Sequence, residues 1–187
     1  MRRGIFGGTF DPFHIAHLSA AEAAFHALQL DVVTFIPAGD PWQKSDRALS
    51  SAGDRLNMTR LGVAGVDYFE VDDREVGRTG PTYTIDTLDE MPDDDITLIL
   101  GADAAAGLGS WHRAADVLER VDIAVVPRPG TTADDVALAP GRVSWIAMPE
   151  LDVSGVRLRQ MLASGLSIRF LVPDAVWAYI REHHLYE

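Results

Sequence analysis

The string Gly7-Gly8-Thr9-Phe10-Asp11-Pro12-Phe13-His14-Ile15-Ala16-His17 is where residue types and spacing in this sequence could do chemistry. Gly7 and Gly8 let a backbone approach a ligand with no Cβ in the way. The stretch from His17 to Leu30 has apolar residues at helical spacing and many helix formers. It predicts a helix whose N-terminus offers a positive dipole end and free N–H groups to an anion. His14 and His17 are three apart, so on the first helical turn they share a face beside that anion site. Two imidazoles there can donate hydrogen bonds to phosphate oxygens and stabilise charge that builds up in phosphoryl chemistry. The same residues also suit a tight turn that binds nothing, and an HxxH pair alone carries little information. Other chemistries lack their residues. There is no GxxxxGK[ST] phosphate loop and no GxGxxG after a strand. With no cysteine and no HExxH, a zinc site is short of ligands, and Asp11 alone does not complete one.

The elements that must position these residues follow from short apolar runs alternating with amphipathic stretches. Gly4-Ile5-Phe6 opens a strand, Val32 to Ile36 is a β-branched buried strand bounded by Pro37, and Tyr68 to Val71 is a short one. Ile96 to Leu100, Ile123 to Val126 and Val143 to Ala147 continue the series. Helices are expected from Asp54 to Val66, Thr82 to Met91, Asp103 to Gly109, Arg113 to Arg120, Gly155 to Ala163 and Pro173 to His183. Strand–helix alternation predicts an open, mostly parallel α/β sheet with helices on both faces and a small C-terminal helical segment. Such sheets bind ligands at the carboxyl ends of their strands, which directs attention to the residues just after each strand.

Composition bounds the rest. A length of 187 residues with 47% hydrophobic and 24% charged residues suits one compact domain, 1–187, with 150–187 as a C-terminal helical subregion. The absence of cysteine excludes a disulfide scaffold, a thiol nucleophile and an iron–sulfur cluster. Apolar runs are too short to span a bilayer, and the N-terminus lacks the apolar core of a signal peptide, so the cytoplasm is the default location. A net charge of −12 repels nucleic acid and anionic membranes at long range, and neither is an expected partner. Small polyanions would need a local cationic pocket or a metal ion to override that field. Oligomeric state is left open, a homo-oligomer among the options.

The string GGTFDPFHIAH closely resembles the GGTFDPxHxxH signature of nicotinate-mononucleotide adenylyltransferases, within the HxGH-type nucleotidyltransferases. Further blocks resemble the family's in the same order: Pro41-Trp42-Gln43-Lys44, Gly80-Pro81-Thr82-Tyr83-Thr84 through Leu88, Leu100-Gly101-Ala102-Asp103 with Trp111, and Val126-Pro127-Arg128-Pro129-Gly130. The C-terminal stretch from Val172-Pro173-Asp174 to Leu185-Tyr186 is similar too. The resemblance implies a Rossmann-like fold and a reaction in which ATP and nicotinate mononucleotide give deamido-NAD and pyrophosphate, with Mg2+ carried mainly by substrate phosphates. It implies that His14, His17 and Arg159 act on the ATP phosphates, and that Gly7, Gly8, Thr9 and Phe10 line the nucleotide channel. Gly101 and Asp103 would take the adenosine, Asp103 holding the ribose hydroxyls. Thr82 and Tyr83 would offer N–H groups to the nicotinate carboxylate, Trp111 would stack on the pyridine ring, and Lys44 would add a mobile positive charge. Blander roles stand beside these: Asp103 as a helix N-cap, Thr82 to Thr84 as caps of a short helix, Trp111 as a core aromatic. The Pro-flanked polar loop around Gly39–Ser51 is expected to move when substrate binds.

One block departs from the pattern. Where the family has ISSTxxR, this chain reads Val153-Ser154-Gly155-Val156-Arg157-Leu158-Arg159. Ser154 and Arg159 match, while Gly155 and Val156 replace hydroxyls that would cap a helix and touch ATP phosphates. Gly155 can still present its N–H, and Arg159 keeps a bidentate guanidinium. The departure keeps a second reading open, an ATP-binding module without turnover. Related adenylyltransferases acting on nicotinamide mononucleotide or phosphopantetheine form a third.

Overall fold

The computed structural model describes residues 1–41, 49–91, 95–128, 130–131, 136 and 142–186. Lys44, most of its polar loop and Pro129 lie outside the described residues. Among those described, the strands are β1 (Arg2–Gly8), β2 (Val32–Pro37), β3 (Phe69–Val71), β4 (Asp95–Gly101), β5 (Asp122–Val126) and β6 (Val143–Trp145). They form one parallel sheet in the order β3-β2-β1-β4-β5-β6. Connecting helices are α1 (Ile15–Ala27), α2 (Ala52–Val63), α3 (Thr84–Asp89), α4 (Ala102–Ala106), α5 (Ala114–Arg120), α6 (Gly155–Ala163) and α7 (Asp174–Glu182). This is the doubly wound, Rossmann-like arrangement expected from the alternating pattern.

Successive residues of a strand face opposite sides of the sheet, and both sides here are covered by helices. The central strands therefore read as largely apolar runs that feed two cores. Phe6, Val33, Phe35, Ile99, Ala124 and Val126 face one core with Ala20, Ala21 and Ala24 of α1, Met58 of α2 and Val176 and Ile180 of α7. Ile5, Ile36, Leu98, Leu100, Ile123 and Val125 face the other with Ile85, Leu88, Ala105 and Val117. The alanines of α1 present almost no side chain, so that helix lies close to the sheet.

Several boundaries differ from expectation, two of them at the site. The first helix starts at Ile15, and His14 is its N-cap, with extended backbone at φ −144°. The helical piece expected around Asp103–Gly109 resolves into α4 and a short 3-10 helix, Leu108–Ser110. Among the described residues no helix is long and apolar enough to cross a membrane.

Candidate active site

The chain winds outward from β1 to β3 and returns to β4 on the other side of β1, so the loops leaving β1 and β4 diverge. A cleft of about 550 Å3 opens there. Every expected site residue within the described chain lines it: Gly7, Gly8, Thr9, Phe10, His14, His17, Thr82, Tyr83, Gly101, Asp103, Trp111, Ser154 and Arg159.

The two histidines are held face to face, ring centroids 3.6 Å apart and planes 19° from parallel. The backbone N–H of His14 donates to Nδ1 of His17 at 3.2 Å. An Nδ1 that accepts leaves the proton of the neutral His17 ring on Nε2. The edge of Phe10 meets the His17 ring at a centroid distance of 4.9 Å, fixing its orientation. His14 is 2% exposed, and its Nδ1 has no hydrogen-bond partner among the described residues. Burial pushes its pKa down to about 3, with the charge of Arg128 adding to the effect, so the ring is neutral in the empty cleft.

Part of the helix start is already bonded within the chain. Ile15 spends its N–H on the carbonyl of Leu171 at 3.1 Å, and His17 spends its own on the carbonyl of His14 at 2.9 Å. With His14 N–H also committed, three backbone N–H groups at this end are bonded within the chain. Gly7 faces open space, as ligand approach requires, whereas a Cβ on Gly8 would lie 2.7 Å from the Phe10 ring. Gly8 is small because Phe10, in the left-handed region at φ 52°, folds back beneath it.

Cationic groups converge from strand and helix ends. Arg159 of α6 donates from Nη1 to the carbonyl of Asp11 at 2.5 Å. Arg128, just past β5, lies with its Nε 3.8 Å from Asp103 Oδ2. Sequence reasoning noted the block around Arg128 without assigning the residue; its place at a strand's carboxyl end was the available signal. Asp103 lies in the first turn of α4, whose N-cap is Gly101, and its side chain is 73% exposed. It is free of the capping duty that competed with a ribose-binding role. Ser154 is the N-cap of α6 and accepts from Arg157 N–H at 3.3 Å, while the Arg157 guanidinium pairs with Asp152.

Gly155 is small for a steric reason. A Cβ there would lie 2.6 Å from the carbonyl oxygen of Asp11 and 3.3 Å from Nη1 of Arg159. The lack of a side chain lets α6 press against the loop and lets Arg159 reach that carbonyl.

The far wall is aromatic and acidic. Tyr83 packs against His112 with ring centroids 4.4 Å apart and planes tilted by 32°, and Trp111 lines the cleft while packing on the second core. Tyr83 is the N-cap of α3 and makes no side-chain cap bond, so Thr82 and Thr84 do not cap the helix. Thr82 departs from expectation in another way: its N–H and hydroxyl both donate to the carbonyl of Asp40, at 3.2 and 3.3 Å. A role for its N–H toward a carboxylate requires that bond to break. Beneath lies Glu75, whose buried carboxyl is pushed up by desolvation and accepts from Thr87 at 2.7 Å.

One buried cation fastens the floor. Arg55 of α2 is 2% exposed, and its guanidinium donates to the carbonyls of Ser50, Thr9, Ala38 and Gly39 at 2.5 to 3.1 Å. It ties the loop after β1 to the loop after β2. Sequence reading missed it, although Arg55 shares a helix face with buried Thr59 and Val63.

A cytidylyltransferase-like family model matches residues 5–161. A protein of Dehalococcoides mccartyi strain 195, described as a probable nicotinate-nucleotide adenylyltransferase, is 42% identical over 198 residues, covering 100% of this chain and 97% of its own. One of Streptomyces coelicolor with the same description is 42% identical over 184 residues, covering 96% and 98%. Among solved structures, Plasmodium falciparum nicotinic acid mononucleotide adenylyltransferase complexed with NaAD superposes with a TM-score of 0.80 at 18% identity, over 99% of this chain and 97% of that one. At that identity the likeness speaks for the fold.

Proposed function

The chain belongs to the cytidylyltransferase-like family, among the nicotinate-nucleotide adenylyltransferases, and on that premise we propose that it transfers the adenylyl group of ATP to nicotinate mononucleotide. The products are deamido-NAD and pyrophosphate. One observation supports this reading most: a single crevice holds a stacked histidine pair, two arginines and, on the opposite wall, a set of aromatic rings.

The chemistry asks for no protein nucleophile. A 5′-phosphate oxygen of the mononucleotide, already anionic, attacks the α-phosphorus of ATP. The new phosphorus–oxygen bond forms as the bond to the α–β bridging oxygen breaks, and the electron pair leaves with pyrophosphate. The protein's task is in-line positioning and neutralisation of the leaving charge. His17 donates from Nε2, and Arg159 and Arg128 bring fixed positive charge to the phosphates. His14, neutral in the empty cleft, gains affinity for a proton when a triphosphate lies against it.

Asp103, exposed at the mouth, accepts from ribose hydroxyls, and Gly101 leaves room for the nucleoside. Trp111 and the Tyr83–His112 pair offer flat surfaces to the pyridine ring. In this reading magnesium is carried by the substrate phosphates, where it would neutralise part of their charge. Arg128 and Arg159 give the cleft a local positive charge that favours anionic substrates despite the net charge of −12. The proposed setting is the cytoplasm.

The test is pyrophosphate release with ATP and magnesium, run in parallel with nicotinate mononucleotide, nicotinamide mononucleotide and phosphopantetheine. Release many-fold faster with the nicotinate substrate is expected. Release with phosphopantetheine alone, or with none of the three, would overturn the proposal.

A further inference from the structure

The C-terminal Leu185-Tyr186 pair has no part in the chemistry above, yet Tyr186 reaches the loop between β1 and α1. After α7 the chain turns back, with Leu185 N–H on the carbonyl of Ile180 at 3.0 Å and Tyr186 in the left-handed region at φ 68°. The phenol of Tyr186 donates to Oδ1 of Asp11 at 2.5 Å, across 175 positions of sequence. Burial and the neighbouring carboxylate push the phenol's pKa up, so it stays a donor throughout the working range.

Asp11 stands between two claimants. Its side chain is 1% exposed. Oδ1 is taken by Tyr186, and Oδ2 accepts from Ser50 N–H at 3.4 Å. Arg159 lies beyond hydrogen-bond reach of that carboxylate, Nη1 to Oδ2 being 3.7 Å, and bonds instead to the main-chain carbonyl of the same residue. A carbonyl holds a guanidinium without neutralising it. A carboxylate in the fork would neutralise it and occupy the donors that a phosphate needs.

We infer that Tyr186 is a positioning residue for ATP: by holding Oδ1 of Asp11 it keeps the carboxylate at ion-pair distance and out of direct hydrogen bonding with Arg159, whose fork stays open to the triphosphate. Without the phenol, the carboxylate is free to turn and close the 3.7 Å between its Oδ2 and the Arg159 guanidinium. ATP then competes with an internal anion. The inference rests on the proposed reading of Arg159 as a phosphate ligand, and the test reads ATP binding directly, independent of any product.

The variant is Tyr186→Phe, which keeps the ring and its packing on the first core and removes one hydroxyl. Dissociation constants for ATP and for nicotinate mononucleotide are measured by calorimetry on the full chain, alongside Leu185→Ala, which strips packing from the same segment but keeps the phenol. Tyr186→Phe is expected to weaken ATP about fivefold or more and to leave the mononucleotide within about twofold. Leu185→Ala is expected to lower the melting midpoint with ATP affinity retained. Unchanged ATP affinity in Tyr186→Phe, or equal weakening of both ligands, or equal weakening of ATP by the two variants, would overturn the inference. Wild-type protein that binds ATP and makes no deamido-NAD would instead remove the proposed function and leave this test standing.

Discussion

Replacing Gly155 by serine restores the hydroxyl of the family's ISSTxxR block, and the structure predicts that it harms the protein. The new Cβ would sit 2.6 Å from the Asp11 carbonyl oxygen, about 0.8 Å inside the 3.4 Å of ordinary contact. The obstacle is backbone, so α6 and the loop must separate. Overpacking of that kind costs about 1–3 kcal/mol. Separation also stretches the bond from Arg159 to the Asp11 carbonyl, now 2.5 Å, and a charged hydrogen bond contributes about 1.5–3 kcal/mol. The two effects share one movement, so the expected loss is about 2–4 kcal/mol. In a chain of 187 residues each kcal/mol lowers the melting midpoint by about 2–4 °C. Thermal unfolding of wild type and Gly155→Ser should therefore differ by about 4 °C at the least, and KM for ATP should rise. A melting midpoint within about 1 °C of wild type, with KM for ATP unchanged or lower, would refute the steric reasoning.

Other outcomes follow from single groups. His17→Ala, which removes the Nε2 donor, is expected to lower kcat about 10²–10³-fold with circular dichroism unchanged; near-full turnover would remove that role. Arg55→Lys leaves most of four loop carbonyls without a donor and should destabilise by about 2–4 kcal/mol in urea, against no change if the guanidinium were incidental. His14 ties stability to pH. Its folded pKa of about 3 lies below the unfolded value near 6.5, so below about pH 6.5 only the unfolded chain gains a proton. The contribution is intact above that pH and is lost as pH falls toward 3, by up to about 1.4 kcal/mol per unit. Urea midpoints between pH 7 and 4.5 should fall more steeply for wild type than for His14→Asn, and parallel slopes would contradict the assignment.

Strands were legible because a parallel sheet buried on both faces demands largely apolar runs; Ile123 to Val126 is one, and Val32 to Ile36 and Ile96 to Leu100 are each interrupted only by a threonine. The crevice was legible too, since a doubly wound sheet opens where its strand order reverses. The start of α1 was set too late because its cap is His14, a residue outside the usual set of Ser, Thr, Asp and Asn. Interactions across long sequence separations left no local trace. Arg55 reads as an ordinary helix-surface cation until four loop carbonyls are seen to converge on it. Tyr186 and Asp11 sit at opposite ends of the chain. Gly155 looked like a lost hydroxyl, whereas the packing of α6 on the Asp11 carbonyl makes it a steric requirement.

The central claim is that this cleft moves the α-phosphate of ATP to nicotinate mononucleotide without a covalent enzyme intermediate. Incubation of the full chain with both substrates and magnesium, using ATP labelled at the α-phosphate in one arm and at the γ-phosphate in the other, tests it directly. The α-label should appear in the dinucleotide, the γ-label in pyrophosphate, and neither on the protein. An α-label retained in ATP, released as AMP or found on a side chain would contradict the account.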